Sequence, residues 1–204
     1  PILRINKYGP SEVEKIVKRF IDILGSLVLL ILTSPIMLST AIAIKIQDGG
    51  DVFYKQIRLS KDGKEFRIIK FRSMVMNAEK NTGAVLAKEN DDRITKVGKF
   101  IRKTRFDELP QLINILKGEM SFVGPRPERP EIYDEICETM PEFRYRLVVK
   151  ARLTGYAQIY GKYNTSLRDK LLLDLYYIEN WTLGLDIKIL ILTVVKGFIN
   201  KNAY

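Results

Sequence analysis

The period of hydrophobic and polar positions changes along the chain, and each change marks a different kind of element. Residues 11–20 (SEVEKIVKRF) mix apolar and charged positions at helical spacing, with Ser11 placed as N-cap and Glu14 at the capping-box position. This helix runs into a stretch from Ile23 to Ile44 that holds no charged residue and is long enough to cross a bilayer. The stretch is apolar on all faces and too long for the core helix of so small a domain. Two features count against simple crossing. Ser34-Pro35 falls at the middle, where proline removes a backbone hydrogen bond and kinks a helix. Positive residues also flank both ends, Lys15, Lys18 and Arg19 before and Lys45, Lys55 and Arg58 after, and such flanks stay on the cytoplasmic side. A re-entrant helix over residues 11–46, broken at Ser34-Pro35, satisfies both observations; the pattern alone leaves a spanning helix open.

From residue 51 the period drops to two. VFYKQIRL and KEFRIIKFRSM alternate around Lys61-Asp62-Gly63-Lys64, which predicts a β-hairpin. Residues 77–92 are polar and rich in Asn and Asp, as in a loop. Helical spacing then returns with Lys96, Lys99, Arg102 and Lys103 beside an apolar stripe of Val97, Phe100 and Ile101. Such a helix suits an anionic membrane surface, and equally a solvated charged face. The pattern next predicts a helix over Leu109–Lys117 stopped by Gly118, a rigid proline-rich turn over 121–130 and a helix over 131–146. Loop with short extended pieces follows over 147–165, then amphipathic helices over 166–180 and 183–200. Together these predict one mostly helical α+β domain over 1–204, with residues 51–204 forming a cytoplasmic part that carries interfacial helices.

Composition narrows the chemistry. The chain has 204 residues and a formal net charge of +10, which points to nucleic acid, anionic headgroups or phosphorylated substrates. Its single cysteine, Cys137, cannot form an internal disulfide, which suits a cytoplasmic compartment. There is no histidine, so Ser-His-Asp and Cys-His systems and His-based zinc sites are excluded. No Walker-type loop or GxGxxG opens a helix. An enzyme built on this chain must draw acid, base and nucleophile from Asp, Glu, Lys, Tyr, Ser or Thr. No cleaved signal peptide is apparent, and a chain beginning at proline is expected to lack part of its natural N-terminus.

Asp107-Glu108-Leu109-Pro110 admits two readings. An Asp shortly before an apolar helix can cap it, and Pro110 suits a first helical turn. A carboxylate at a helix N-terminus also sits beside N–H donors that attract phosphate oxygens. With Arg102, Lys103 and Arg105 just upstream, the place could hold a diphosphate, a Mg²⁺ ion and a nucleophilic carboxylate together. Gly124-Pro125-Arg126-Pro127 is the second candidate. Prolines on both sides hold Arg126 so that its fork is preorganised for phosphate, although a salt-bridged surface turn has the same sequence.

Taken with KRFIDILGS, SP, KFRSM, GKFIRKTRFDELPQLINILKGEMSFVGPRPERP, LTGYAQIYGKYNT and LDLYYIEN, these blocks cover nearly the whole chain. In that order and spacing, the chain resembles the monotopic phosphoglycosyl transferases, bacterial sugar transferases that start glycan assembly on a polyprenyl phosphate. The resemblance implies a re-entrant membrane helix broken at Ser34-Pro35, a location on the cytoplasmic face of the bacterial inner membrane, and membrane lipids as partners. It implies that Asp107 attacks the β-phosphate of a UDP-sugar, releasing UMP and leaving a phosphosugar on the enzyme. Polyprenyl (undecaprenyl) phosphate then accepts the phosphosugar. It further implies that Mg²⁺ sits at Asp107, that Glu108 assists, and that Lys70, Arg102, Arg126, Lys162 and Asp174 contact substrate or phosphate. A homodimer is compatible with it.

Two positions depart from common family patterns. Ala151-Arg152 stands where many members have Pro-Gly, and Tyr160-Gly161-Lys162 where many have Asn-Gly-Arg. The YGKYNT form resembles exopolysaccharide and capsule members, often the C-terminal catalytic domain of longer proteins. The chief rival is a non-catalytic basic scaffold at the membrane surface of a glycan assembly complex. Nucleic-acid binding is not expected, since the basic residues accompany a long apolar segment and no known motif.

Overall fold

Ser11 caps the first helix, α1 (Glu12–Asp48): its Oγ accepts from the Glu14 N–H at 3.2 Å, and the Glu14 carboxylate accepts from the Ser11 N–H at 2.9 Å. The structure, a computed structural model, describes residues 11–78, 91–161 and 164–199. Helix α1 runs through Pro35. Proline offers no N–H to the carbonyl of Ile31, and the Ser34 hydroxyl donates to that carbonyl instead at 2.8 Å. Thr33 and Ser39 donate likewise to the carbonyls of Leu29 (2.7 Å) and Pro35 (2.8 Å). The break expected at Ser34-Pro35 is thus bridged by hydroxyls and does not open into a loop. Gly49, at φ 68°, ends the helix.

Only 11% of the most apolar window of α1 is buried, which rules out a core helix and leaves an apolar surface suited to lipid. Both halves nevertheless dock on the same domain. On the first half, Arg19 donates to the carbonyls of Ile115 and Leu116 at 2.7 and 2.8 Å, and Asp22 accepts from the Phe122 N–H at 3.2 Å. On the second, Ile44 packs with Phe71 and Ile101, Gln47 accepts from the Val97 N–H at 2.9 Å, and Asp48 pairs with Arg72. Between them Ile31, Leu32 and Leu38 are 65%, 68% and 64% exposed.

The alternating runs form the expected hairpin, β1 (Phe53–Leu59) antiparallel to β2 (Glu65–Phe71), with Phe53 opposite Phe71 and Leu59 opposite Glu65. Thr95 caps the basic helix α2 (Lys96–Lys103), accepting from the Gly98 N–H at 2.9 Å. Its apolar stripe divides: Ile101 is buried and Val97 packs beside it, whereas Phe100 is 60% exposed. Next come α3 (Gln111–Lys117), ended by Gly118, then β3 (Ser121–Val123) and α4 (Pro130–Thr139). The helix expected over 131–146 stops at Thr139. Pro141 disfavours helical backbone at Met140, which sits at φ −139°, ψ 77°, and the chain continues as a 3-10 segment over Pro141–Val148. The last elements are β4 (Arg152–Thr154), α5 (Tyr156–Tyr160), α6 (Leu167–Glu179) and α7 (Leu183–Ile199).

β3 and β4 pair in parallel, with Val123 opposite Thr154. The main core joins Phe66 and Ile68 of β2, Leu112 and Ile115 of α3, Phe122 and Val123 of β3, Tyr177 of α6 and Ile189 of α7. Leu30 of α1 packs against it. β2, α3 and β3 thereby lie against one another, which brings the chemistry-bearing blocks together.

Candidate active site

Helix α2 ends at Thr104, and Arg105 takes the left-handed conformation (φ 58°, ψ 19°) that more often falls to glycine at a helix end. The reversal leads into a 3-10 turn over Phe106–Glu108, which carries both acids. Helix α3 starts only at Gln111, its N-cap is Pro110, and no side chain caps it. The capping role for Asp107 is therefore not realised.

The two carboxylates are held differently. Glu108 Oε1 accepts from Lys70 Nζ at 3.0 Å and from Arg126 Nη2 at 3.3 Å. Asp107 makes no hydrogen bond or ion pair among the described residues. Their acidities separate accordingly. Burial pushes Asp107 up to about 6, aided by the Glu108 charge and resisted by Lys70, Arg102 and Arg126. Burial also acts upward on Glu108, but Arg126, Lys70 and the Lys70 hydrogen bond outweigh it and bring Glu108 down to about 2. At neutral pH both are ionised, and Asp107 is the more basic and the less engaged.

Lys70 comes from β2 and Arg126 from the turn after β3, so Glu108 joins three separate elements. The turn is gripped by other arginines. Arg152 donates to the Val123 carbonyl, Arg146 to that of Arg126 at 3.0 Å and Arg58 to that of Pro127 at 3.2 Å. Sequence reasoning missed these holders, because lone arginines in strands and loops carry no motif. Arg152 also donates to the Tyr177 hydroxyl at 2.9 Å.

Asp174 is 2% exposed, and its carboxylate accepts from Arg146 Nε at 2.8 Å. Its influence on the site runs through Arg146 to the Arg126 carbonyl. Arg102 is half-buried near the dyad, where its charge acts on Asp107. Lys162 lies outside the described residues.

Among the described residues no group of three or more acidic or thiol ligands forms a ready-made metal cage. The acids present still fit Mg²⁺, which commonly takes one or two carboxylates and completes its shell with water and substrate phosphates. Asp107 has unengaged oxygens for such a bond, whereas Glu108 Oε1 is shared by two cations.

The model for the bacterial sugar transferase family matches residues 13–200. The chain is 43% identical, over 195 residues, to the UDP-N-acetylgalactosamine-undecaprenyl-phosphate N-acetylgalactosaminephosphotransferase of Aeromonas hydrophila, covering 93% of this chain and 46% of that protein. It is 43% identical over 209 residues to the UDP-glucose:undecaprenyl-phosphate glucose-1-phosphate transferase of Klebsiella pneumoniae, covering 100% of this chain and 45% of that one. It is 41% identical over 186 residues to the uncharacterized sugar transferase EpsL of Bacillus subtilis, covering 91% and 89%. The chain thus spans less than half the length of the first two relatives and most of the third. It belongs to the bacterial sugar transferase family.

Proposed function

We propose that this chain transfers a sugar-1-phosphate from a UDP-sugar to undecaprenyl phosphate, with Asp107 as covalent nucleophile. The observation that carries the reading is the asymmetry of the dyad: Glu108 is tied to Lys70 and Arg126, while Asp107 beside it is ionised, basic and unengaged. The names of the Aeromonas and Klebsiella relatives supply the donor and acceptor classes.

In the first step one Asp107 oxygen bonds to the β-phosphorus, and the bond from that phosphorus to the bridging oxygen breaks with its electron pair leaving on UMP. In the second, a phosphate oxygen of undecaprenyl phosphate bonds to the same phosphorus and the Asp107 carboxylate departs. Phosphoryl transfer depends mainly on positioning and on stabilising charge over the phosphoryl oxygens, so the lack of histidine is no obstacle. Lys70, Arg102 and Arg126 supply positive charge around Asp107. Glu108 holds Lys70 and Arg126 toward one point. When Mg²⁺ is bound, Asp107 would contribute one ligand, and the ion would neutralise diphosphate charge.

The lipid acceptor accounts for α1. A helix whose two halves dock on one domain and whose middle is apolar and exposed fits entry into one leaflet from the cytoplasmic side and return to it. The test is UMP release from a panel of UDP-sugars with Mg²⁺ and undecaprenyl phosphate. Mass spectrometry without acceptor should show a phosphosugar on Asp107, and Asp107→Asn should lose turnover by about 10³-fold or more. Turnover that needs both substrates bound at once, with no adduct, would refute the covalent route; no turnover with any donor would favour the scaffold.

A further inference from the structure

Asn114 is fully buried on α3 and does not touch the dyad. Its Oδ1 accepts from the Ile69 N–H at 3.0 Å, and its Nδ2 donates to the Arg67 carbonyl at 2.8 Å. The second Nδ2 hydrogen goes to Glu119 Oε2 at 2.6 Å. Arg67 and Ile69 lie on β2, whose opposite edge is paired with β1. The side-chain amide has the donor and acceptor of a peptide group, so it does for this edge of β2 what a third strand would do.

The consequence concerns its neighbours. Residue 69 directly precedes Lys70, and α3 directly follows the turn that holds Glu108. Asn114 therefore bolts the strand of one partner to the helix of the other, and the 3.0 Å Lys70–Glu108 contact spans that same seam. We infer that Asn114 is a positioning residue, which sets the register of β2 against α3 and so holds Lys70 at the reacting phosphoryl group. This rests on the reading of Asp107 as nucleophile. Misplacement of a catalytic group by about 1 Å can cost about 100-fold in rate.

The test is a double-mutant cycle on UMP release by the full chain in detergent, with thermal unfolding recorded for every variant. Asn114→Ala should lower kcat by about 10- to 100-fold. Lys70→Met should lower it as well. Asn114→Ala placed on Lys70→Met should cost less than about twofold more, because a group acting through Lys70 has nothing left to position. Asn114→Asp, of the same size, keeps the acceptor for Ile69 but loses both donors and sets a carboxylate against Glu119 and the Arg67 carbonyl, so it should lose at least as much as Asn114→Ala, with the same non-additivity. Effects that multiply, a wild-type kcat in folded Asn114→Ala, or losses in both Asn114 variants that match the unfolded fraction would each overturn the positioning role. Asp107→Asn run alongside separates the two readings. If it retains turnover, the nucleophile assignment fails; if it is inactive while the Lys70 and Asn114 effects multiply, only the role of Asn114 fails.

Discussion

A carboxylate that attacks phosphorus must be ionised, so under the proposed covalent route, with Asp107 pushed up to about 6, the rate of adduct formation should rise with pH through about 6 and then level off. Glu108→Gln removes the neighbouring negative charge that helps to raise Asp107. The acid limb should then move to lower pH while the rate falls, and a pH–rate profile of UMP release would check both. Stability follows from the same shift. The folded pKa of Asp107 lies above its ordinary value of 3.8, so ionisation opposes folding; the penalty is absent below about pH 4 and complete above about pH 6. Asp107→Asn should therefore raise stability by about 1–3 kcal/mol at pH 7 and by little at pH 4, read from denaturant unfolding at the two values. Glu108 has the opposite sign: the stability it contributes at neutral pH is lost as pH falls from about 4.5 toward 2. At this scale the dyad and Arg126 were legible as candidates in their own compact blocks, whereas Lys70 entered only through the family resemblance. The burial of Asp174 against Arg146 was not legible, because nothing in LDLYY indicates whether a carboxylate faces solvent or a buried arginine.

Elements carry the geometry that single residues cannot. The Arg126 turn is fastened to β4: the Gly124 N–H donates to the Thr154 carbonyl at 2.8 Å, and a Cβ on Gly155 would stand 1.8 Å from the Gly124 carbonyl oxygen. Gly155 is thus required for close approach, its own backbone being extended. Gly155→Ala should push the turn off β4 and lower UMP release by more than about 10-fold, as expected when a clamp on charge loses its position. Asp174→Asn attacks the same turn from behind, leaving the buried Arg146 with Glu128, 3.9 Å away, as its remaining counter-charge. It should cost about 1–3 kcal/mol, measurable by thermal unfolding in detergent. The long amphipathic and alternating segments were legible because their periods persist over several turns or pairs. β3 and β4 were not, as three residues each show no period and their pairing joins segments distant in sequence. The helix expected over 131–146 ends at Thr139 because Pro141 disfavours helical backbone at Met140, a local effect that overrides the composition around it.

For the whole molecule, the governing relation is between α1 and the domain that holds both of its halves. Arg19 reaches the last carbonyls of α3, a placement favoured by the negative end of that helix, and Asp48 holds Arg72 two residues beyond Lys70. A helix that crossed the bilayer would carry one of these anchors to the far side and leave its partner behind. A helix that dips and returns keeps both anchors with the candidate site, which under the proposed function lies where a UDP-sugar and a lipid phosphate can meet. Sequence could pose this choice through Pro35 and the charged flanks, but the docking of both halves is a tertiary fact. The expected topology can be read by labelling. In a Cys137→Ser background, single cysteines at Glu12, exposed at the start of α1, and at Asp62, in the exposed hairpin turn, should both react with a membrane-impermeant maleimide in inverted inner-membrane vesicles. Neither should react from outside in intact spheroplasts. Labelling of Glu12→Cys from outside with Asp62→Cys protected would establish a spanning helix, and the anchors at Arg19 and Asp22 could not then form in the membrane-bound protein.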